Sequence, residues 1–263
     1  MSVKSSISIH YSFLYFCFTL GGCLFLFGKC GLINAIISLI IGILSFIIFY
    51  YTISKCSLIS KVAKFLISFV AISTLVFTFC EFAKFTSFEI LIYTPRFLII
   101  SLFVFIITVF TMSKEKAILK FCLVFGAIMI GFCLSVFIAG LSNFSLDNFE
   151  CLPGVSLKEI IRNYLIIFFP AALPLINRKD SLVSGVVGIG VAGIIFVLFS
   201  TFTVCTFGFL NEKIPYPILA LCDTVNSGRI FTRLGYFFYF VIYICGLIRA
   251  TICIKVIKTT FSS

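Results

Sequence analysis

Charge is what this sequence has least of. Asp, Glu, Lys and Arg together make up 11% of its residues, against roughly 25% in an ordinary soluble domain. A water-facing surface of the usual kind cannot be built from so few charges. Histidine is nearly missing as well: His10 stands alone. The chain has 12 cysteines, but no two form a C-x-x-C pair, and a zinc or iron–sulfur site needs clustered ligands. No metal site and no cofactor are therefore expected. The sequence contains no H-E-x-x-H, no G-x-S-x-G and no phosphate-binding glycine loop with its lysine, which leaves no enzyme to propose. Tryptophan is absent, so tyrosines must serve as interfacial anchors.

What fills the space is apolar. Hydrophobic residues make up 62% of the chain, with 36 Phe. They fall into about eight stretches, each long enough to cross a bilayer, and a spanning helix needs about 20 such residues. The spans read as 11–28, 31–54, 62–83, 94–112, 117–141, 160–177, 182–210 and 230–254. The fold class expected is an all-α polytopic membrane protein, with residues 1–263 forming a single integral membrane domain. The first span lacks a small-x-small cleavage site and runs almost at once into a second, so it is not read as a cleavable signal peptide.

Orientation follows from the basic residues of the connections. With the N-terminus in the cytoplasm, Lys55, Lys61, Lys64, Lys114, Lys116, Lys120, Arg178, Lys179, Lys255 and Lys258 gather on the inner side with few acids. Glu81, Glu89, Asp147, Glu150, Glu159, Glu212 and Asp223 then lie outside. Both termini are expected to be cytoplasmic. The net charge of +11 fits anionic lipid headgroups as the partner, and no nucleic acid. Most cysteines lie inside spans as small fillers, and a Cys151–Cys222 disulfide between outer loops is geometrically possible.

Two spans are interrupted. The first contains TLGGCLFLFG (19–28), where adjacent Gly21 and Gly22 can expose backbone amides and carbonyls. The sixth contains FFPAALPLIN (168–177), where Pro170 and Pro174 each remove a donor. A break in a spanning helix is tolerated only where it is buried or lines a cavity. Broken helices one and six are the pair that forms the substrate site in transporters built from inverted five-helix repeats. A close helix crossing and a proline kink are the plainer readings of the same residues. Glu81 with Lys84, and Glu159 with Arg162, are spaced to pair at the outer interface. Arg249 lies near the inner end of the last span, where it can snorkel. No acid falls mid-span, so a carboxylate proton relay has no carrier. GVVGIG (185–190) is a packing surface within a span, not a dinucleotide fingerprint.

The order of these segments resembles the B subunits of the spore germinant receptors, the endospore germination permease family of the amino acid–polyamine–organocation transporter superfamily. The resemblance runs through TLGGCLFLFG, CEFAKFTSFEILIYTPRF (80–97) with its Thr94-Pro95, LDNFECLPG (146–154) with its Leu152-Pro153, and FFPAALPLINRKD (168–180). Its most specific part is KIPYPILALCDTVNSGRIFTRLGYFFYFVIYICGLIRATICI (213–254). The chain also departs from the pattern. Members usually have ten helices, and this chain stops after the eighth predicted span. The family often has Glu around Arg233-Leu234-Gly235 and a Trp in the last matched span, where Phe240 to Tyr243 stand here. Its acid around helix six has no counterpart in FFPAALPL.

The resemblance implies an incomplete inverted-repeat (5+5) transporter-like fold, shortened by about two C-terminal helices. It implies nutrient sensing in spore germination, in the inner membrane of a bacterial spore, with germinant receptor A and C subunits as partners. A small-molecule nutrient such as an amino acid would bind between the two breaks, against Thr19, Gly21, Gly22, Cys23, Phe168, Phe169, Pro170, Ala171 and Ala172. Amides at a half-helix N-terminus would suit its carboxylate, and exposed carbonyls a cation. A stand-alone amino-acid permease and a membrane assembly protein that binds no ligand are the alternatives.

Overall fold

The computed structural model describes residues 3–24, 31–55, 57–89, 95–151, 154–169, 181–224 and 234–261. The described residues are 92% helical and contain no strand. In chain order the helices are α1 (Val3–Cys23), α2 (Leu32–Lys55), α3 (Ser57–Glu89), α4 (Arg96–Met112), α5 (Glu115–Gly140), α6 (Leu157–Asn163), α7 (Ser181–Phe207), α8 (Pro217–Thr224) and α9 (Leu234–Phe261). A π-turn, Tyr164–Phe168, continues α6. Among the described residues, five helices hold an apolar run long enough to cross a membrane: Leu32–Thr52, Phe65–Ser87, Glu115–Asn143, Leu182–Asn211 and Phe237–Thr260. The apolar α4 is shorter. This is the make-up of an integral multi-pass membrane protein.

The outward faces agree with that reading. Along α2, the exposed side chains Ile33, Ile36, Ile40, Leu44, Ile48 and Tyr51 recur every three or four residues and form one stripe. On α4, Leu98, Leu102, Phe105, Val109 and Met112 do the same. Stripes of this size facing water would be aggregation liabilities; facing lipid they are at home. The polar residues are turned inward instead, for example Asn34 and Ser38 of α2, both fully buried.

Helix α1 is the central element and packs on α7, α5, α9 and the π-turn. Burial on nearly every side, from Tyr11 through Cys23, explains why α1 has no polar face. Its closest crossing is with α7 at Gly188, where a Cβ would press on the α1 backbone, 2.8 Å from the Tyr15 Cβ and 3.0 Å from the Phe16 nitrogen. Gly185 faces the Phe46 ring, so Gly185 and Gly188 of GVVGIG pack on neighbouring helices, while Gly190 has nothing within 4 Å. Helix α9 is the second hub, against α3, α1, α4 and α8. Its outer flank is an aromatic cluster in which Phe82 and Phe103 stack at 3.6 Å and Tyr243 lies 2.9 Å from the Thr86 hydroxyl.

Two ends have clear local causes. Helix α7 stops at Gly208, whose φ of +57° takes the left-handed turn that glycine adopts without strain. The short α8, absent from the predicted spans, begins at Pro217, a first-turn position that needs no N–H donor. The expected pairing of Lys84 Nζ with Glu81 Oε1 is present, at 2.8 Å. The Glu159 carboxylate is held by α2. Cys222 is a free, buried thiol, which rules out the Cys151–Cys222 disulfide in this structure.

Candidate functional site

The site begins with a clamp that positions α6. The Asn34 side-chain amide donates to Glu159 Oε2 at 2.8 Å and to the Gly154 carbonyl at 3.1 Å. The Ser156 backbone N–H donates to Asn34 Oδ1 at 3.0 Å. One turn along α2, the Ser38 hydroxyl lies 2.6 Å from the Asn34 carbonyl and 3.2 Å from that of Ile160. A further turn along, a Cβ on Gly42 would collide with Phe168. Positions 34, 38 and 42 thus form one inward face that fixes α6 and its π-turn at a set height.

The π-turn ends at Phe169, whose φ of −62° and ψ of 133° are extended. A residue before proline is pushed out of the helical region, and Pro170 follows. The predicted interruption of the sixth span therefore starts where the sequence places it. From Leu157 to Phe168 this half-helix is only about 18 Å long, at 1.5 Å rise per residue.

The other break is different from the expectation. Gly21 and Gly22 are helical, in the last turn of α1, and the Leu24 N–H bonds to the Leu20 carbonyl at 2.9 Å. The pair serves close approach. A Cβ on Gly21 would sit 2.9 Å from the Cys245 carbonyl oxygen of α9, and one on Gly22 would strike the Arg249 guanidinium, 2.8 Å from Cζ. The space left by two missing side chains is filled by Arg249.

Arg249 corrects the sequence reading. Helix α9 runs on past Lys255, whose Nζ lies 2.9 Å from the Ser113 carbonyl in the α4–α5 connection, and Arg249 lies about 9 Å along the helix from it. Its side chain is 0% exposed and turned into the bundle, so it does not snorkel to the surface. Its Nη2 donates to the Ile166 carbonyl of the π-turn, and its Cζ stands 5.1 Å from the centre of the Phe18 ring. Nε and Nη1 have no hydrogen-bond partner among the described residues, and no acid pairs with it there. A charged side chain buried within a spanning helix is costly and is a functional signal by default.

The environment explains how the cation is tolerated. The last turn of α1 and the end of the π-turn are both helix C-termini, each carrying roughly half a negative charge. Arginine holds its proton under all ordinary conditions. The carbonyl side of the predicted site is therefore occupied by a cation from the chain itself, whereas amides of a half-helix N-terminus are not found among the described residues of this junction.

Of the expected site residues, Gly21 and Gly22 line the Arg249 pocket, and Thr19 and Cys23 are buried beside them in α1. Phe168 and Phe169 are buried, with rings engaged by Phe196 of α7 and by Phe49 and Tyr164 respectively. Pro170, Ala171 and Ala172 lie outside the described residues. Sequence reasoning passed over Arg249 as a site residue. The signal that could have found it is a lone arginine inside an apolar run with no acid at helical spacing to pair with it. No family model, curated protein or solved structure matches the chain.

Proposed function

We propose that this chain is a permease-like sensor that binds a small metabolite at the membrane midplane, between the end of α1 and the π-turn after α6. What supports the reading is one observation: two helix ends converge on a fully buried arginine that has no acidic partner among the described residues. Continuous helices would give a packed bundle no reason to hold such a charge. The resemblance to germinant receptor B subunits supplies the rest of the proposal. In it, about eight spans form an incomplete inverted repeat, both termini are cytoplasmic, and the protein acts with A and C subunits in the spore inner membrane. Nutrient binding biases α1 and the π-turn between two arrangements, by as much as its affinity for the two differs.

Replacing Gly22 by Leu tests the site. Its side chain evicts the Arg249 guanidinium, so spores carrying the variant should lose the nutrient response while the protein still reaches the membrane. An unchanged response in such spores overturns the assignment.

A further inference from the structure

The ligand class can be narrowed from the donors of Arg249. A guanidinium presents five N–H groups in a flat fork. Nε and Nη1, which carry three of them, are unpartnered among the described residues, and the side chain is fully buried. The fork has two edges, one shared by Nε and Nη2, the other by Nη1 and Nη2. The Ile166 carbonyl accepts from Nη2 alone. Whichever Nη2 hydrogen it takes, one edge keeps both of its donors. That edge has the spacing of the two oxygens of a carboxylate.

Among the described residues, the remaining surroundings offer no acceptor of that kind. Phe18 lies under the guanidinium and Gly22 against it. The two helix C-termini neutralise part of the charge, but as carbonyl dipoles they leave a buried cation short of a true counterion. We propose that Arg249 is the carboxylate anchor of the ligand. The ligand is then a small molecule with a free carboxylate, an amino acid or simple organic acid, and not a sugar, a nucleoside or a carboxamide. This rests on the binding reading given above and narrows it. The guanidinium is closed off in this structure, so ligand exchange requires the end of α1 or the π-turn to move aside, which couples binding to conformation.

The test uses the full chain in lipid nanodiscs, followed by thermal unfolding with acetate, a panel of amino acids, and the amides of the same amino acids as probes. At least one carboxylate should raise the unfolding midpoint in a concentration-dependent way, and its amide should not. Arg249→Gln should abolish the shift. Arg249→Lys keeps the charge but lacks the fork, and should weaken the response about tenfold to a hundredfold, the cost of losing a charge-assisted hydrogen bond. The comparison of acid with amide needs only the wild-type protein, so it decides even if the variants fold poorly. Equal shifts with amides, a shift that survives in Arg249→Gln, or no shift with any carboxylate each overturn the proposal. Spores that keep their nutrient response with Arg249→Gln would refute the anchor and leave the sensor reading intact. A carboxylate shift in a protein that never joins a receptor would do the reverse.

Discussion

Gly188→Ala and Gly190→Ala differ by one methyl group placed two residues apart, and the structure assigns them opposite outcomes. At Gly188 the new Cβ falls 2.8 Å from the Tyr15 Cβ and 3.0 Å from the Phe16 nitrogen, where ordinary contact begins at 3.4 Å. Neither of those atoms belongs to the far end of a flexible side chain, so α1 must shift bodily by roughly half an ångström to restore van der Waals separation. Overpacking of this kind costs about 1–3 kcal/mol. For a chain of this size that is a fall of about 3–10 °C in unfolding midpoint. At Gly190 nothing lies within 4 Å of the added methyl, and alanine improves helix propensity by up to about 1 kcal/mol. The midpoint should hold or rise. A thiol-reactive dye reads unfolding directly, because Cys17, Cys122, Cys133, Cys205, Cys222, Cys245 and Cys253 are free and buried. Equal midpoints for the two variants would refute the α1–α7 crossing.

Other expected outcomes follow from single contacts. Arg249→Met should leave the unfolding midpoint unchanged or higher, since removing an unpaired buried charge is often stabilising, while ligand-induced stabilisation vanishes; a collapse of folding would mark Arg249 as a structural staple. Asn34→Ala removes the hydrogen bonds to Glu159, Gly154 and Ser156 and should cost about 1–3 kcal/mol in the same assay, weakening ligand response along with stability. Tyr243→Phe deletes only the bond to Thr86 and should cost about 1 kcal/mol with response intact, whereas Phe103→Ala should cost about 3–5 kcal/mol.

The parts of the fold that a sequence shows well are those the bilayer dictates. Apolar runs at α2, α5 and α7 coincide with predicted spans because lipid demands both length and apolarity. The stop at Phe169 was legible for a local reason, the proline after it. Other features depend on partners far along the chain. Gly21 and Gly22 read as a break, but they are a notch cut for Cys245 and Arg249, more than 220 residues away. The π-turn has no sequence signature, since its form follows from how α2 seats it. Lys255 read as the end of the last span; it stays helical, with its Nζ 2.9 Å from the Ser113 carbonyl. Arg249, read as a surface anchor, is instead fully buried against α1 and the π-turn, and the candidate site moves with it.

The central claim, a membrane sensor working within a receptor, is tested most directly by purifying the tagged chain from dormant-spore membranes and from growing cells and identifying what accompanies it by mass spectrometry. The account predicts an A-type and a C-type receptor subunit, recovered from spores alone. Recovery of the chain by itself, or of the same companions from growing cells, would contradict it.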